Sequence, residues 1–471
     1  MLNRVFDNDT ICAIATPHGM GAIAVVRVSG PEAIPIVNQL FTQNGKAFDS
    51  DKMVSHKAYY GHIVDHGELL DEVLVTFFKA PHSFTGEDSA EISVHGSVFV
   101  QQKLLQVLIT HGCRMAEAGE FTCRAFVNRK FDLAQAEAIA DLISSESEAA
   151  HRVAINQLKG GFSKELQIMR DKLLEMTSLM ELELDFSEED VEFADRSQLR
   201  ALLQDTLDHV NKLKDSFRLG NAIKNGIPVA IVGQTNTGKS TLLNALLGED
   251  RAIVSDIAGT TRDTIEETLN INGILYRFID TAGLRNTDET IEKIGIERSY
   301  RKISEANVII GMLDATTGYE SMFSSAREIV SKVDFQHQQL ILCINKVDTL
   351  SDQGEALLGE LRLDLDNDNI MVICLSAKHG FGLNDLYNTL KHSQPLSSPD
   401  ATLVTNVRHY EALMHAADSL KSVQQGLEIN IPTDLVSQDL HEALFHLGSI
   451  TGEITTDEVL GTIFSRFCIG K

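Results

Sequence analysis

Residues 233–240 read Gly-Gln-Thr-Asn-Thr-Gly-Lys-Ser. Two glycines with four residues between them, then an amine and a hydroxyl, are the residue types that cradle a phosphate. Backbone N–H groups line the loop, the Lys239 ammonium adds a point charge, and the Ser240 hydroxyl can ligate Mg²⁺. The context agrees. Ile227–Val232 is a short apolar run of strand character, and Lys239 to Leu247 has a helical pattern. The loop therefore opens a helix, whose unpaired N–H groups and dipole favour an anion.

Further nucleotide-reading segments follow in order. Ser255-Asp-Ile-Ala-Gly-Thr-Thr-Arg-Asp263 is polar and offers Thr261 as a second Mg²⁺-ligating hydroxyl. Glu267–Ile279 reads as two strands joined by Asn272-Gly273, a strong hairpin signal. It delivers Asp280-Thr281-Ala282-Gly283, in which Asp280 would reach the metal through water and Gly283 would offer its N–H to the γ-phosphate. The apolar runs Asn307–Leu313, Gln339–Ile344 and Ile370–Leu375 read as buried strands. The second opens into Asn345-Lys346-Val347-Asp348 and the third into Ser376-Ala377-Lys378. A carboxylate at Asp348 can accept two hydrogen bonds from guanine, a pairing adenine cannot offer. The ligand expected is GTP, held by Asn236, Thr237, Gly238, Lys239, Ser240 and Thr241 in the first loop. Ser255, Asp256, Ile257, Ala258, Gly259, Thr260 and Thr261 follow, then Asp280, Thr281, Ala282 and Gly283, then Asn345, Lys346, Asp348, Ser376, Ala377 and Lys378.

One position is irregular. Leu284 stands where a Ras-like switch keeps a water-orienting Gln, and an aliphatic side chain cannot position water. Glu292 is a candidate water positioner; its plainer reading is a solvated helix carboxylate. The missing positive charge could come from Arg262, Arg285, a partner or a bound cation. Asn236 beside the phosphates could ligate a monovalent ion or simply shape the loop.

These elements occupy about a third of a chain of 471 residues carrying a net charge of −26. That charge excludes indiscriminate nucleic-acid binding, because phosphate-backbone affinity comes from Lys and Arg. An RNA contact would need a local basic patch or a more basic partner subunit. No apolar run approaches the ~18 residues of a membrane span, the amino terminus lacks an export pattern, and the chain reads as cytoplasmic. Six cysteines without a Cys-x-x-Cys pair argue against structural zinc and a disulfide framework. Five are expected to be buried fillers, with Cys468 the exception.

Helical spacing at Leu133, Ala136, Ala140 and Ile143, again at Leu158, Phe162, Leu166, Met169 and Leu173, and again from Tyr410 to Leu447 predicts helices on both sides of the GTPase segment. The expected fold is multidomain α/β and α. Residues 1–128 would form an α+β domain, 129–224 and 393–471 a helical domain built in two parts, and 225–392 an inserted Ras-like P-loop GTPase domain with a parallel-rich sheet and flanking helices. In the first domain Thr10–Ala15, Ala22–Val28 and Glu72–Phe78 read as strands and Val98–Ile109 as a helix. The polar clusters Ser83–Asp88, Glu91–Gly96 and Gly119–Phe126 read either as turns and caps or as a site.

Gly-Glu-Phe-Thr-Cys-Arg-Ala-Phe (119–126), Asp-Leu-Ala-Gln-Ala-Glu-Ala-Ile-Ala-Asp-Leu-Ile (132–143), Asp-Ile-Ala-Gly-Thr-Thr-Arg-Asp (256–263) and the terminal Phe-Cys-Ile-Gly-Lys (467–471) together resemble the MnmE (TrmE) family of tRNA-modification GTPases, from about residue 8 onward. The resemblance implies a homodimer that binds a 5-formyl- or 5,10-methylene-tetrahydrofolate in its amino-terminal domain, lined by Arg27, Glu91, Lys130 and Lys471. It implies K⁺-dependent GTP hydrolysis activated by G-domain dimerisation, with the ion on Asn236, Ser255, Ile257 and Thr260. Mg²⁺ would sit on Ser240 and Thr261, and Glu292 and Lys239 would serve catalysis. Cys468 would lie near the modification chemistry. The implied partner is the FAD-carrying flavoprotein MnmG (GidA) in a heterotetramer, and the implied product is a carboxymethylaminomethyl or aminomethyl group on C5 of the tRNA wobble uridine, U34. Departures from the family pattern include Met20 where an Arg is common, Ser97 after His95-Gly96, Ala118 before Gly119 and Arg129 before Lys130. Two other readings, a ribosome-assembly or signalling switch and a GTP-regulated folate carrier, would dispense with the terminal Cys and Lys or with the flavoprotein.

Overall fold

The computed structural model describes residues 9–49, 53–185, 196–250, 267–279, 303–350, 369–392, 402–429, 431–454 and 457–465, with Glu360, Leu361, Leu365, Phe467 and Gly470. The chain forms two compact units: Met1–Ile143 with Gln157–Asn211 and Glu411–Lys471, and Ser144–Asn156 with Lys212–Tyr410.

In the first unit, β1 (Ile11–Ile14), β2 (Ile23–Ser29), β3 (Phe41–Gln43), β4 (Lys46–Ala47), β5 (Ala58–Asp65), β6 (Glu68–Phe78), β7 (Ser89–His95) and β8 (Arg114–Met115) form one sheet in the order β4-β3-β5-β6-β7-β2-β1-β8. Its pairs are antiparallel except β1 with β8. Period-two alternation along β2 buries Ala24, Val26 and Val28, and the matching residues Val75, Phe77 and Ile92 complete that face. The Val98–Thr110 helix covers it with Leu104 and Leu108. Each Val, Ile, Leu or Phe among them, fully withdrawn from water, contributes about 1.5–3 kcal/mol before entropy is counted. Gly61 is required where β5 passes β3, since a Cβ there would stand 2.2 Å from the Thr42 carbonyl oxygen. Glu91–Gly96 is thus a central strand, not a turn, and Gly119–Phe126 largely a helix, Glu120–Val127.

The helical part of this unit packs Thr433–Thr451 along Gly161–Asp185. Leu440, Ala443 and Leu447 on the first helix and Phe162, Leu166, Met169 and Leu173 on the second are all buried. The helical stripe expected from Leu158 to Leu173 is broken at Gly160, whose φ of 80° ends one helix before the next begins.

In the second unit, β9 (Ile227–Val232), β10 (Glu267–Ile271), β11 (Ile274–Phe278), β12 (Val308–Asp314), β13 (Gln339–Asn345) and β14 (Ile370–Cys374) run in the order β10-β11-β9-β12-β13-β14. All pairs are parallel except the β10–β11 hairpin. Its turn places Asn272 at φ 54° and Gly273 at φ 80°, as a type I′ connection demands. A sheet buried on both faces needs near-continuous apolar strands, and β12 and β13 supply them. Separate cores lie on its two faces, one around Leu242, Leu246 and Ile310, the other around Ile309, Leu342 and Ile329. Cys12, Cys113, Cys123 and Cys343 are buried as expected, whereas Cys374 is only half-buried at the end of edge strand β14.

Candidate functional site

The phosphate-loop residues lie where β9 hands the chain to the Lys239–Asp250 helix. Ligands of parallel α/β sheets bind beyond the carboxyl ends of the strands, and this loop occupies that edge. Gly233 (φ 146°) and Gly238 (φ 97°) are obligatory: an added Cβ would sit 2.4 Å from the Met312 carbonyl oxygen at the first and 2.2 Å from Asn345 Nδ2 at the second. Asn236 adopts the left-handed region at φ 61°, which Asn tolerates better than most residues. The Thr237 hydroxyl donates to the Gln234 carbonyl at 2.9 Å. Lys239 Nζ donates to the loop's own carbonyls, Gly233 at 2.9 Å and Gln234 at 2.6 Å. Burial lowers its pKa. Phosphate oxygens would be stronger, charge-assisted acceptors for the same ammonium. Ser240 and Thr241 follow in the first turn of the helix.

Three strand ends converge on the base-reading side. Asn345, 3% exposed, donates from Nδ2 to the Thr237 carbonyl at 2.8 Å and accepts from the Ala377 N–H at 3.0 Å. One buried amide thus fastens the phosphate loop to the Ser376-Ala377-Lys378 loop. Lys346 (φ 65°) donates to Asp314 Oδ2 at 2.6 Å. Burial alone would raise the Asp314 pKa, but Lys346 and Thr316 outweigh it and lower it. Asp348 lies in the short turn Val347–Thr349, its carboxyl held below the usual range chiefly by the Ser376 hydroxyl, with His379 Nε2 3.6 Å away. The spacing of the motifs signalled Asn345, Lys346, Asp348 and Ser376–Lys378, but not Asp314, Thr316 or His379, nor the Asn345 bridge, whose partners are far apart in sequence.

Ser255, Asp256, Ile257, Ala258, Gly259, Thr260, Thr261, Arg262, Asp280, Thr281, Ala282, Gly283, Leu284, Arg285, Glu292, Cys468 and Lys471 lie outside the described residues.

A second constellation lies in the first unit. Arg27 and Glu91 face each other across β2 and β7, with Nε and Nη2 donating to Glu91 Oε1 at 3.0 and 2.8 Å. The guanidinium stands 5.0 Å from the Phe84 ring centre and 5.7 Å from that of Phe121, and Nη1 donates to the Gly470 carbonyl at 3.4 Å. Lys130 donates to the Pro81 carbonyl at 2.9 Å and Asn128 to the Thr85 carbonyl at 2.8 Å, so both grip the loop that carries Phe84. Met20 is 90% exposed.

Beneath that loop lies a buried ionic network that spacing did not reveal. Arg124, its side chain 1% exposed, donates to Glu120 at 3.0 Å and Asp9 at 2.6 Å, and reaches Glu87 at 3.3 Å. Arg114 joins the same Asp9 and Glu120 at 2.6 Å each. Burial alone would lower the Arg124 pKa and raise that of Glu120; the ion pairs outweigh it, raising the first and lowering the second. The network unites two of the three polar clusters, since Arg124 of one reaches Glu87 of another; Glu87 also accepts from Ser29 at 2.8 Å. The signal available was the Glu120/Arg124 pair four residues apart on one helix face.

A family model described as the MnmE helical domain matches residues 133–468, and one described as the GTP-binding protein TrmE N-terminus matches residues 10–130. The chain belongs to the MnmE (TrmE) family. A tRNA modification GTPase MnmE of Bacteroides fragilis is 51% identical over 99% of this chain and 100% of its own length, and that of Flavobacterium johnsoniae is also 51% identical, with the same coverage. Among solved structures, a variant of Aquifex aeolicus Era bound to GDP and AlF4⁻ matches 41% of this chain and 66% of its own at 30% identity, with a TM-score of 0.28. As a member of the MnmE family the chain is a P-loop GTP hydrolase involved in tRNA modification. Among the described residues no helix is long and apolar enough to cross a membrane.

Proposed function

We propose that this chain is the GTP-hydrolysing subunit of a cytoplasmic complex that modifies C5 of the tRNA wobble uridine, U34. The observation that carries the reading is the full-length 51% identity to curated tRNA modification GTPases, which spans both constellations described above. The proposed division is 1–128 for folate binding and dimerisation, 129–224 and 393–471 for the helical domain, and 225–392 for the GTPase.

In the GTPase domain the strained loop at Asn236–Gly238 leaves its N–H groups for phosphate, and Lys239 exchanges two carbonyls for phosphate oxygens. Asp348 selects guanine, while Asn345 keeps the two halves of the site in register. Ser240 and Thr261 would hold Mg²⁺, and Asn236, Ser255, Ile257 and Thr260 would hold K⁺, which supplies positive charge where no arginine finger is needed. The left-handed Asn236 fits this role, because it is exposed and brings an amide oxygen. With Leu284 unable to orient water, Glu292 takes that part, and G-domain dimerisation completes the site.

In the amino-terminal domain, Arg27, Glu91, Lys130 and Lys471 would hold a 5-formyl- or 5,10-methylene-tetrahydrofolate, which supplies the one-carbon unit. Arg27 between two phenyl rings, tied to Glu91, fits a flat polar heterocycle with both donors and acceptors. Cys468 lies in the same terminal segment as Lys471. MnmG, bringing FAD, is the proposed partner in a heterotetramer, and the joint product is the carboxymethylaminomethyl or aminomethyl group.

The test is the GTPase rate in K⁺ against Na⁺ at equal ionic strength, together with nucleoside analysis of tRNA from cells lacking the gene. A large K⁺ preference and loss of the modified uridine are expected. Equal rates, with activity lost in Arg285→Ala, would reassign the charge to that arginine, and unaltered tRNA would remove the modification reading.

A further inference from the structure

A cavity of about 840 Å³ opens in the second unit on the side away from the phosphate loop. It is lined at the start of β9 by Pro228 and just before β12 by Asn307. Pro228 precedes Gly233 by five residues, roughly 16 Å along an extended strand. The cavity is therefore at the amino edge of the sheet and is not part of the GTP site.

Its lining is unusual for so acidic a chain. Lys214, Arg218 and Arg277 converge there with His337, against the single carboxylate of Asp215. Arg218 donates to the His337 carbonyl, which fixes its guanidinium at the rim. Phe217 and Tyr410 form one wall, their rings stacked with centres 4.6 Å apart and planes 23° from parallel. The amides of Asn221 and Asn225, one helical turn apart and joined by a 2.7 Å bond from Asn225 Nδ2 to Asn221 Oδ1, and of Asn307 complete the set. Cations answer a phosphodiester, an aromatic wall answers the face of an unpaired base, and amides carry both donor and acceptor for base edges. The volume is enough for one nucleotide.

We propose that this cavity receives one nucleotide of a single-stranded RNA segment, giving a chain of net charge −26 a local cationic foothold on its tRNA substrate. The proposal rests on the reading that the chain itself touches tRNA. A folded tRNA offers such segments in its loops and at its 3′ end, where bases are unpaired.

The test is fluorescence anisotropy of a labelled single-stranded RNA octamer with the GDP-loaded full-length protein, at several salt concentrations. Wild type should bind saturably. Lys214→Glu should weaken binding at least tenfold, and Lys214→Ala should reduce the salt slope by about 0.7, the value for one single-strand phosphate contact. Tyr410→Leu should weaken binding without changing that slope. All three should keep the wild-type melting temperature and GTP turnover, and Lys214→Gln replaces any variant that melts lower. Wild-type affinity in both Lys214→Glu and Tyr410→Leu would overturn the cavity assignment while leaving RNA contact elsewhere. No RNA binding by wild type would overturn the contact itself, without touching the GTPase reading. Equal competition by free uridine monophosphate and by the octamer would make the ligand a mononucleotide and overturn the RNA assignment.

Discussion

Replacing Asn345 by Ala is the sharpest test of how the nucleotide site holds together. The substitution removes two hydrogen bonds from a residue 3% exposed, leaving the Thr237 carbonyl and the Ala377 N–H to find other partners. Each buried bond of this kind contributes roughly 1–1.5 kcal/mol net. Nothing in Ala replaces either bond, so about 2–3 kcal/mol should be lost from the state in which the phosphate and base loops are aligned. At about 1.4 kcal/mol per tenfold, GDP affinity should fall about 30- to 150-fold. Equilibrium titration with a fluorescent GDP analogue reads this directly, and a thermal melt without nucleotide shows how much of the loss belongs to the fold. Because the bridge is formed within the protein, the melt should also fall. Nucleotide affinity within threefold of wild type, with an unchanged melt, would refute the claim that one amide couples the two loops.

Gly238→Ala should be at least as severe, since its Cβ would stand 2.2 Å from Asn345 Nδ2 at a φ of 97°; the same titration should show about a 100-fold loss or more from strain of about 3 kcal/mol. Arg124→Met should lower stability to urea by about 3–5 kcal/mol, the usual result of removing one partner from a buried ion cluster. The folded-state pKa of Glu120 is depressed below the ordinary 4.5, so its stabilisation is complete above that value and drains away as pH falls through the folded pKa. Urea melts from pH 6 to 3 should show an acid limb that is shallower in Glu120→Gln. Arg27→Ala should weaken tetrahydrofolate binding about 10- to 100-fold through loss of a charge-assisted bond, with GTP turnover of the isolated protein unchanged; calorimetry and a phosphate-release assay distinguish the two.

What was readable from the chain was local. A phosphate loop, a hairpin turn or a guanine-reading tetrapeptide is defined by neighbours in sequence, and β9, Asn272-Gly273 and Asn345–Asp348 lie where their residue types require. Central strand β7 keeps a clean period-two pattern, with Ala90, Ile92 and Val94 buried and Glu91, Ser93 and His95 between them; that polar half gave the stretch the look of a turn or a site. Arg124 was harder to read. Its partners Asp9 and Glu87 come from distant stretches, and an arginine 1% exposed contradicts the prior that such side chains face water. The Gly160 break failed for the opposite reason: the apolar spacing continues through it, while a single left-handed glycine ends the helix.

The β10–β11 hairpin has one more property. Its tip is tied down: the Ala149 N–H donates to the Gly273 carbonyl at 3.0 Å, and Asn270 Nδ2 donates to the Glu146 carbonyl at 3.3 Å. A free hairpin would absorb a torque by flapping in solvent, whereas one pinned at the tip behaves like a beam held at its far end. Any twist entering along β11 must therefore be delivered to the backbone of Glu146–Ala149, in the same unit but more than a hundred residues earlier in the chain.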